Sequence, residues 1–314
     1  MSYKIPYFSF DKMISDTGGD LSLAFREIMD SKWYILGDHL TAFENEFAEY
    51  IGVKHAIGVG NGFDALRISL ESLGLKKDDE VILPGLTFIA TLLAVIHAGL
   101  KPVLCDVNPE TFTMDYRSVE SLISSKTKAI IPVHLYGSPV DVHRIIKHTK
   151  EKEIVIVEDF AQSVGAEIEG RKTGSLGRIN AASFYPTKTL GALGDGGIIT
   201  TDDRKLAERC RSLRNYGFNK DGRHTVIGYN SRLDEMQAAF LSTKIRWLDI
   251  WINERRSIAE KYRDNLSGIP GLTLPEYQRS ALPAHHIFPV LSKKREALRK
   301  HLQTAEIETL MHYR

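Results

Sequence analysis

Ile154-Val155-Ile156-Val157-Glu158-Asp159-Phe160-Ala161-Gln162 runs four β-branched apolar residues straight into two acids. A run without alternation belongs to a strand buried on both faces, as strands inside parallel sheets are. The acids then fall at its C-terminal end, where open α/β sheets bind their ligands. Outward from this stretch, short β-branched runs at His55–Val59, Glu80–Pro84, Pro102–Val107, Ala129–His134, Ile154–Glu158, Ala181–Tyr185 and Gly197–Thr201 alternate with helical patterns. That alternation predicts an α/β protein with a largely parallel sheet. Between the first two strands, Phe63, Leu66, Leu70 and Leu73 recur at helical spacing, with Asn61 placed to cap the start and Gly74 to end the turn. Thr87–His97 and Val140–Lys150 predict further helices, and Leu233 to Leu266 a long one that stops at Ser267-Gly268-Ile269-Pro270. A domain boundary is expected along that helix, giving a large domain over 1–248 and a small α+β domain over 249–314. The latter holds one strand-like run, His286–Leu291, and one charged helix, Lys293–Thr304, too little for an independent core.

The chain has 314 residues, 43% of them hydrophobic, enough to bury a sizeable core. Lys and Arg number 41 against 40 Asp and Glu, a formal net charge of +1. No global field gathers nucleic acid or an anionic membrane, so small molecules are the expected partners. Cys105 and Cys210 carry no C-x-x-C spacing, which argues against a zinc site and a disulfide framework and suits the reducing cytoplasm. The longest apolar run, Phe88 to Leu100, contains His97 and is well short of the roughly 20 residues of a membrane span. The N-terminus lacks a basic-then-apolar signal layout.

Ser183-Phe184-Tyr185-Pro186-Thr187-Lys188-Thr189-Leu190-Gly191 sets one lysine between a short aromatic strand and a run of glycines that extends to Gly197. A lysine becomes a nucleophile when desolvation or neighbouring cations lower its pKa, and Lys188 reads as a Schiff-base lysine. A solvated lysine in a Gly-rich hairpin is the plainer alternative. Asp159 can hold a pyridine nitrogen protonated, an attraction of about 4 kcal/mol at 4 Å and an effective dielectric of 20; it can equally cap the following helix. Glu158 is the structural partner of the two. Gly58-Val59-Gly60-Asn61-Gly62-Phe63 follows a strand and opens a helix, so its N–H groups can hold a phosphate. Its G-x-G-x-G spacing, with Glu80 ahead of its strand, disfavours a dinucleotide fold, and no Walker run supports a triphosphatase.

Together, Asn61-Gly62-Phe63-Asp64-Ala65-Leu66, Pro84-Gly85-Leu86-Thr87-Phe88-Ile89-Ala90-Thr91, Pro132-Val133-His134-Leu135-Tyr136-Gly137, Glu158-Asp159-Phe160-Ala161-Gln162, the Lys188 stretch, Leu213-Arg214-Asn215-Tyr216-Gly217 and Gly228-Tyr229-Asn230-Ser231-Arg232-Leu233-Asp234-Glu235 resemble the DegT/StrS family of nucleotide-sugar aminotransferases, in family order. The resemblance implies the aspartate-aminotransferase fold (fold type I), pyridoxal 5′-phosphate (PLP), and a homodimer with shared active sites. It implies that Lys188 forms the internal aldimine and shuttles a proton, that Asp159 pairs with the ring nitrogen, that Gln162 bonds the phenolic oxygen and that Phe88 stacks on the ring. Backbone at Gly62 and Phe63, the Ser183 hydroxyl, and Asn230 from the neighbouring subunit are implied to hold the phosphate. Core, strand-end and turn roles remain open for Phe88, Ser183 and Asn230.

Two departures stand out. Many family members carry Thr where this chain has Phe63, and a bulky apolar residue there resembles the branch that aminates dTDP-linked 3-keto-6-deoxyhexoses. Tyr185, Lys220 and the His312-Tyr313 pair agree with that branch as groups around the sugar. The chain also stops at His312-Tyr313-Arg314, where relatives have Pro in place of Arg314 and continue, so a truncated small domain is expected. The implied reaction is amino transfer from L-glutamate to a keto carbon of a nucleotide-linked 6-deoxyhexose, C3 first and C4 as the alternative. Arg232 is a candidate for the glutamate carboxylate. A 3-dehydratase is disfavoured because those relatives carry His in place of Lys188. An inactive PLP-binding regulatory or scaffold protein is the reading from another class. No metal is expected.

Overall fold

A computed structural model of the chain describes residues 3–149 and 152–313. In chain order the elements are α1 (Asp11–Ser31), α2 (Asp38–Ile51), β1 (His55–Val59), α3 (Gly62–Ser72), β2 (Glu80–Pro84), α4 (Ile89–His97), β3 (Lys101–Cys105), α5 (Tyr116–Leu122), β4 (Thr127–Ile130), α6 (Val142–Thr149) and β5 (Val155–Asp159). There follow β6 (Glu167–Ile168), β7 (Arg171–Lys172), β8 (Ile179–Ser183), β9 (Gly197–Thr201), α7 (Arg204–Leu213), α8 (Glu235–Ile245), α9 (Leu248–Leu266), β10 (Leu272–Thr273), β11 (Ala281–Leu282), β12 (Leu291–Ser292) and α10 (Arg295–Thr304).

Seven strands form one sheet in the order β1-β9-β8-β5-β4-β2-β3. Only β9 runs against its neighbours, so the sheet is mostly parallel. Alternate residues of the central strands enter different layers, as a period of two requires. Val81, Leu83, Ala129, Val157, Ile179 and Ile199 pack with Leu66 and Ile68 of α3, while Ile82, Ile130 and Ile156 pack with Val142 and Ile145 of α6. Helices therefore cover both faces, which is why β5 reads as a continuous apolar run. The β1, β5 and β8 ends that carry Val59, Asp159 and Ser183 all lie at the same edge of the sheet.

α3 starts as its sequence predicts. The Asn61 side chain accepts the Asp64 N–H at 2.8 Å, a cap worth about 1 kcal/mol, and Gly74 has the positive φ of a helix stop, 69°. Several boundaries move. The strand expected over Ala129–His134 ends at Ile130, because Pro132 has no N–H to continue a ladder. The Ala181–Tyr185 strand lies two residues earlier, over Ile179–Ser183, since residues 184–192 turn back on themselves. The single helix expected from Leu233 to Leu266 is two, α8 and α9, separated at Arg246 and Trp247. The His286–Leu291 strand is absent, and only Leu291–Ser292 pairs, with Leu272–Thr273. Lys150, the expected end of α6, lies outside the described residues. None of the described helices is long and apolar enough to cross a membrane.

Candidate functional site

The two acids that end β5 have opposite surroundings. The Glu158 carboxylate is fully buried and accepts from His134 Nε2 at 2.8 Å and from the N–H groups of Gly174, Leu176 and Gly177 at 3.0, 2.6 and 2.8 Å. Because Val140 N–H donates to His134 Nδ1 at 2.9 Å, the imidazole proton sits on Nε2 and points at Glu158. Burial pushes the Glu158 pKa up, but His134 and the N–H groups outweigh it and the net movement is downward. Glu158 is a structural anchor, as the sequence reading has it.

Asp159 turns toward the opposite layer, and among the described residues only neutral donors reach it. Thr91 Oγ1 donates to its Oδ2 at 2.8 Å and Ala161 N–H to its Oδ1 at 3.2 Å. Burial holds its pKa above the ordinary carboxylate value despite Thr91, Ala161 and the nearby Lys188 charge. Lys188 answers in kind: burial pushes its ammonium below the ordinary lysine value, and Asp159 opposes the shift. A desolvated lysine thus faces a buried carboxylate that, among the described residues, has no cation hydrogen-bonded to it.

On the β1 side, a Cβ at Gly62 would stand 2.5 Å from Ser183 Cβ, so only glycine lets the start of α3 approach the end of β8 this closely. The N–H groups of Gly62 and Phe63 have no acceptor among the described residues. The Ser183 hydroxyl accepts from Tyr185 N–H at 3.1 Å and keeps its own proton to donate. Two backbone donors, a helix N-terminus and a hydroxyl make a donor set suited to a phosphate. With a ring nitrogen at Asp159 and a carbonyl carbon at Lys188, the residues present fit PLP.

Gln162 is buried, accepting Tyr136 N–H at 2.7 Å and donating from Nε2 to the Tyr313 hydroxyl at 2.6 Å; the second Nε2 hydrogen remains. Phe88 is 53% exposed, its ring centroid 5.8 Å from that of Tyr313. The Tyr136 hydroxyl donates to the His312 carbonyl, so the His312-Tyr313 pair is packed against this edge of the sheet. Tyr185 is half exposed beside Lys188, whose N–H donates to the Tyr185 carbonyl at 2.8 Å.

Three candidates do not join this group. Lys220 is 81% exposed and pairs with Glu208 at 3.3 Å. Asn230 is exposed and bridges to Asn215, and Arg232 donates to the Asn215 side chain at 3.1 Å. Two participants were missed by the sequence reading. Thr91 stands three residues after Phe88, one helical turn on, a spacing that signals a shared face. His286 has a buried Nδ1 without a partner among the described residues, and burial with the charges of Lys188, Arg255 and His312 holds it well below its ordinary pKa. Its only sequence signal was membership of the supposed 286–291 strand.

Comparisons with known proteins give the family. Residues 16–314 match the DegT/DnrJ/EryC1/StrS aminotransferase family. The chain is 43% identical over 98% of its length to the erythromycin biosynthesis sensory transduction protein EryC1 of Saccharopolyspora erythraea, covering 84% of that protein. It is 41% identical over 99% of its length to a dTDP-3-amino-3,4,6-trideoxy-alpha-D-glucose transaminase of Streptomyces venezuelae, covering 82% of it. The crystal structure of S. venezuelae DesV in complex with a ketimine intermediate superposes with a TM-score of 0.97, at 41% identity, over 100% of this chain and 84% of that one. The chain belongs to the DegT/DnrJ/EryC1/StrS aminotransferase family.

Proposed function

We propose that the chain is a PLP-dependent transaminase that moves an amino group from L-glutamate to C3 of a dTDP-linked 3-keto-6-deoxyhexose. The observation that carries this reading is the desolvated Lys188 facing the buried Asp159 beside a helix start and hydroxyl suited to phosphate. The similarity to a dTDP-3-amino-sugar transaminase supports the choice of sugar and carbon.

When bound, PLP supplies a carbonyl that accepts the amino group and a ring that takes up the electrons released at a substrate carbon. The protein does the rest. Gly62, Phe63 and Ser183 bind the phosphate, Phe88 covers a ring face, and the free Gln162 N–H serves the phenolic oxygen. The Asp159 carboxylate holds a proton at the ring nitrogen. Lys188 Nζ would carry a proton from the glutamate α-carbon to the cofactor carbon in one half-reaction, and from the cofactor carbon to the sugar carbon in the other. Tyr185, His312 and Tyr313 present groups that bond sugar hydroxyls.

Asn230, Lys220 and Arg232 complete the site only if a second copy brings them. Trp33, Ile89 and Ile227 are 62, 53 and 90% exposed in one copy, large apolar side chains that pairing with a second copy would cover. Sedimentation should find a dimer that PLP tightens. A monomer fully active at high dilution would remove Asn230, Lys220 and Arg232 from the site. Incubation with glutamate and the dTDP-linked 3-keto sugar, followed by two-dimensional NMR of the product, tests the reaction itself. Nitrogen on C4 rejects the regiochemistry, and no transfer to any keto sugar rejects the enzyme in favour of a regulatory role.

A further inference from the structure

Lys244 lies in the last turn of α8 with 2% of its surface exposed, and its Nζ donates to the Gly191 carbonyl at 2.8 Å. Among the described residues no charged group offsets its burial, which pushes its pKa down to about 8. A methionine would fill this place at lower cost, since a buried ammonium with one neutral acceptor keeps much of its desolvation penalty. What the ammonium touches is the turn that carries Lys188. Ala192 N–H donates to the Phe184 carbonyl and Lys188 N–H to the Tyr185 carbonyl, both at 2.8 Å. A Cβ at Gly191 would stand 2.2 Å from the Pro186 carbonyl oxygen, so the turn closes tightly on itself. α8 grips the same segment a second time, where Gln237 Oε1 accepts Leu193 N–H at 2.8 Å. Lys244 is not among the charges that act on Lys188, so its influence passes through the position of the turn.

We propose that Lys244 is a positioning residue: by holding the Gly191 carbonyl it fixes the 184–192 turn, keeping the Lys188 amine buried opposite Asp159 at the expense of stability. This rests on Lys188 being the reactive amine of the proposed function.

The test is Lys244→Met, which keeps the side chain's length and removes the donor. The full chain, freed of cofactor, is treated with pyridoxal and borohydride at a series of pH values, and labelling of Lys188 is mapped by peptide mass spectrometry. Wild-type Lys188 is expected to label at lower pH than the surface lysines. In Lys244→Met its labelling midpoint should rise by about one pH unit as the turn loosens and water reaches the amine. In the loaded enzyme kcat should fall about 10-fold with both KM values within about twofold, the signature of a misplaced reacting group. Thermal stability should be unchanged or higher. Lys244→Arg, which restores a donor, should recover most of the labelling profile. An unaltered midpoint and kcat in Lys244→Met overturn the proposal. Loss of the fold also overturns it, because Lys244 would then be needed by the core as a whole. Preferential wild-type labelling of another lysine would remove the reading of Lys188 and this proposal with it, whereas a normal wild-type profile beside an unaltered variant removes the proposal alone.

Discussion

The layer behind the end of β5 and the layer in front of it differ in how completely the protein satisfies its own polar groups. Behind, Glu158 has four donors, and those from His134, Gly174, Leu176 and Gly177 leave it nothing to offer a ligand. In front, among the described residues, Asp159 has two neutral donors, Lys188 feels the charge of Asp159 without a hydrogen bond to it, and His286 Nδ1 has no partner. One strand end therefore serves stability on one side and chemistry on the other. Groups that the fold leaves short of partners are the ones a ligand can complete.

Changes in the front layer should break function without breaking the fold. Lys188→Ala should lower turnover by more than about 10⁴-fold, measured as amino transfer from glutamate, because both nucleophile and proton carrier are lost. Asp159→Asn should load PLP but turn over about 10³-fold more slowly, the rate equivalent of about 4 kcal/mol. Near-normal turnover would leave Asp159 a structural carboxylate that only holds Thr91 and the Ala161 turn, since β5 is followed by β6 and not by a helix for it to cap. In the cofactor-free protein the same Asn should be neutral or stabilising in thermal unfolding, since it removes a buried charge.

The back layer should respond in the opposite sense. Glu158→Gln should cost about 3 kcal/mol of stability, because its amide sets a donor against backbone N–H groups. Linkage separates the two acids further. Glu158, held below its ordinary 4.5, contributes stability that is fully present above pH 4.5 and is lost as pH falls through its folded value. Asp159, held above its ordinary 3.8, does the reverse: its cost grows as pH rises from 3.8 to its folded value and is relieved on acidification. Acid titrations of Glu158→Gln and Asp159→Asn against wild type should therefore diverge with opposite signs, and curves that moved together would end the distinction. The smallest effect belongs to Tyr313→Phe, which removes the acceptor of the Gln162 amide. About a 10-fold loss in the sugar half-reaction is expected, with the glutamate half-reaction within about twofold.

The front layer was legible wherever chemistry and local pattern coincide. Lys188 sits among glycines that its turn requires, Asp159 ends an unmistakable buried strand, and Asn61 caps α3 as its neighbours demand. Long-range bonds were not legible. Thr91 reaches Asp159 across 68 residues, and no local periodicity encodes that. The break between α8 and α9 has no marker either, since Arg246 and Trp247 are not helix breakers and both keep right-handed helical dihedrals. α1 even argues against itself with Gly18 and Gly19, each about 1 kcal/mol worse than Ala in a helix. Leu21, Ala24 and Ile28 offset this by packing on Ala239 and Phe240 of α8.

The Glu235 carboxylate accepts the N–H groups of Gly37, His39 and Leu40, serving the start of α2 from 198 residues further along the chain at Gly37. At the sheet's edge, β1 has β9 as its one neighbour, with His55 opposite Thr201. On the ribosome, the first helices and the first strand therefore emerge long before the segments that complete them, with apolar faces open to any passing chain. The N-terminal part is thus not expected to serve as an autonomous folding nucleus. Refolding should be limited by the late docking of α8 and β9, and it should be slow and concentration-sensitive, as folds dominated by distant contacts are.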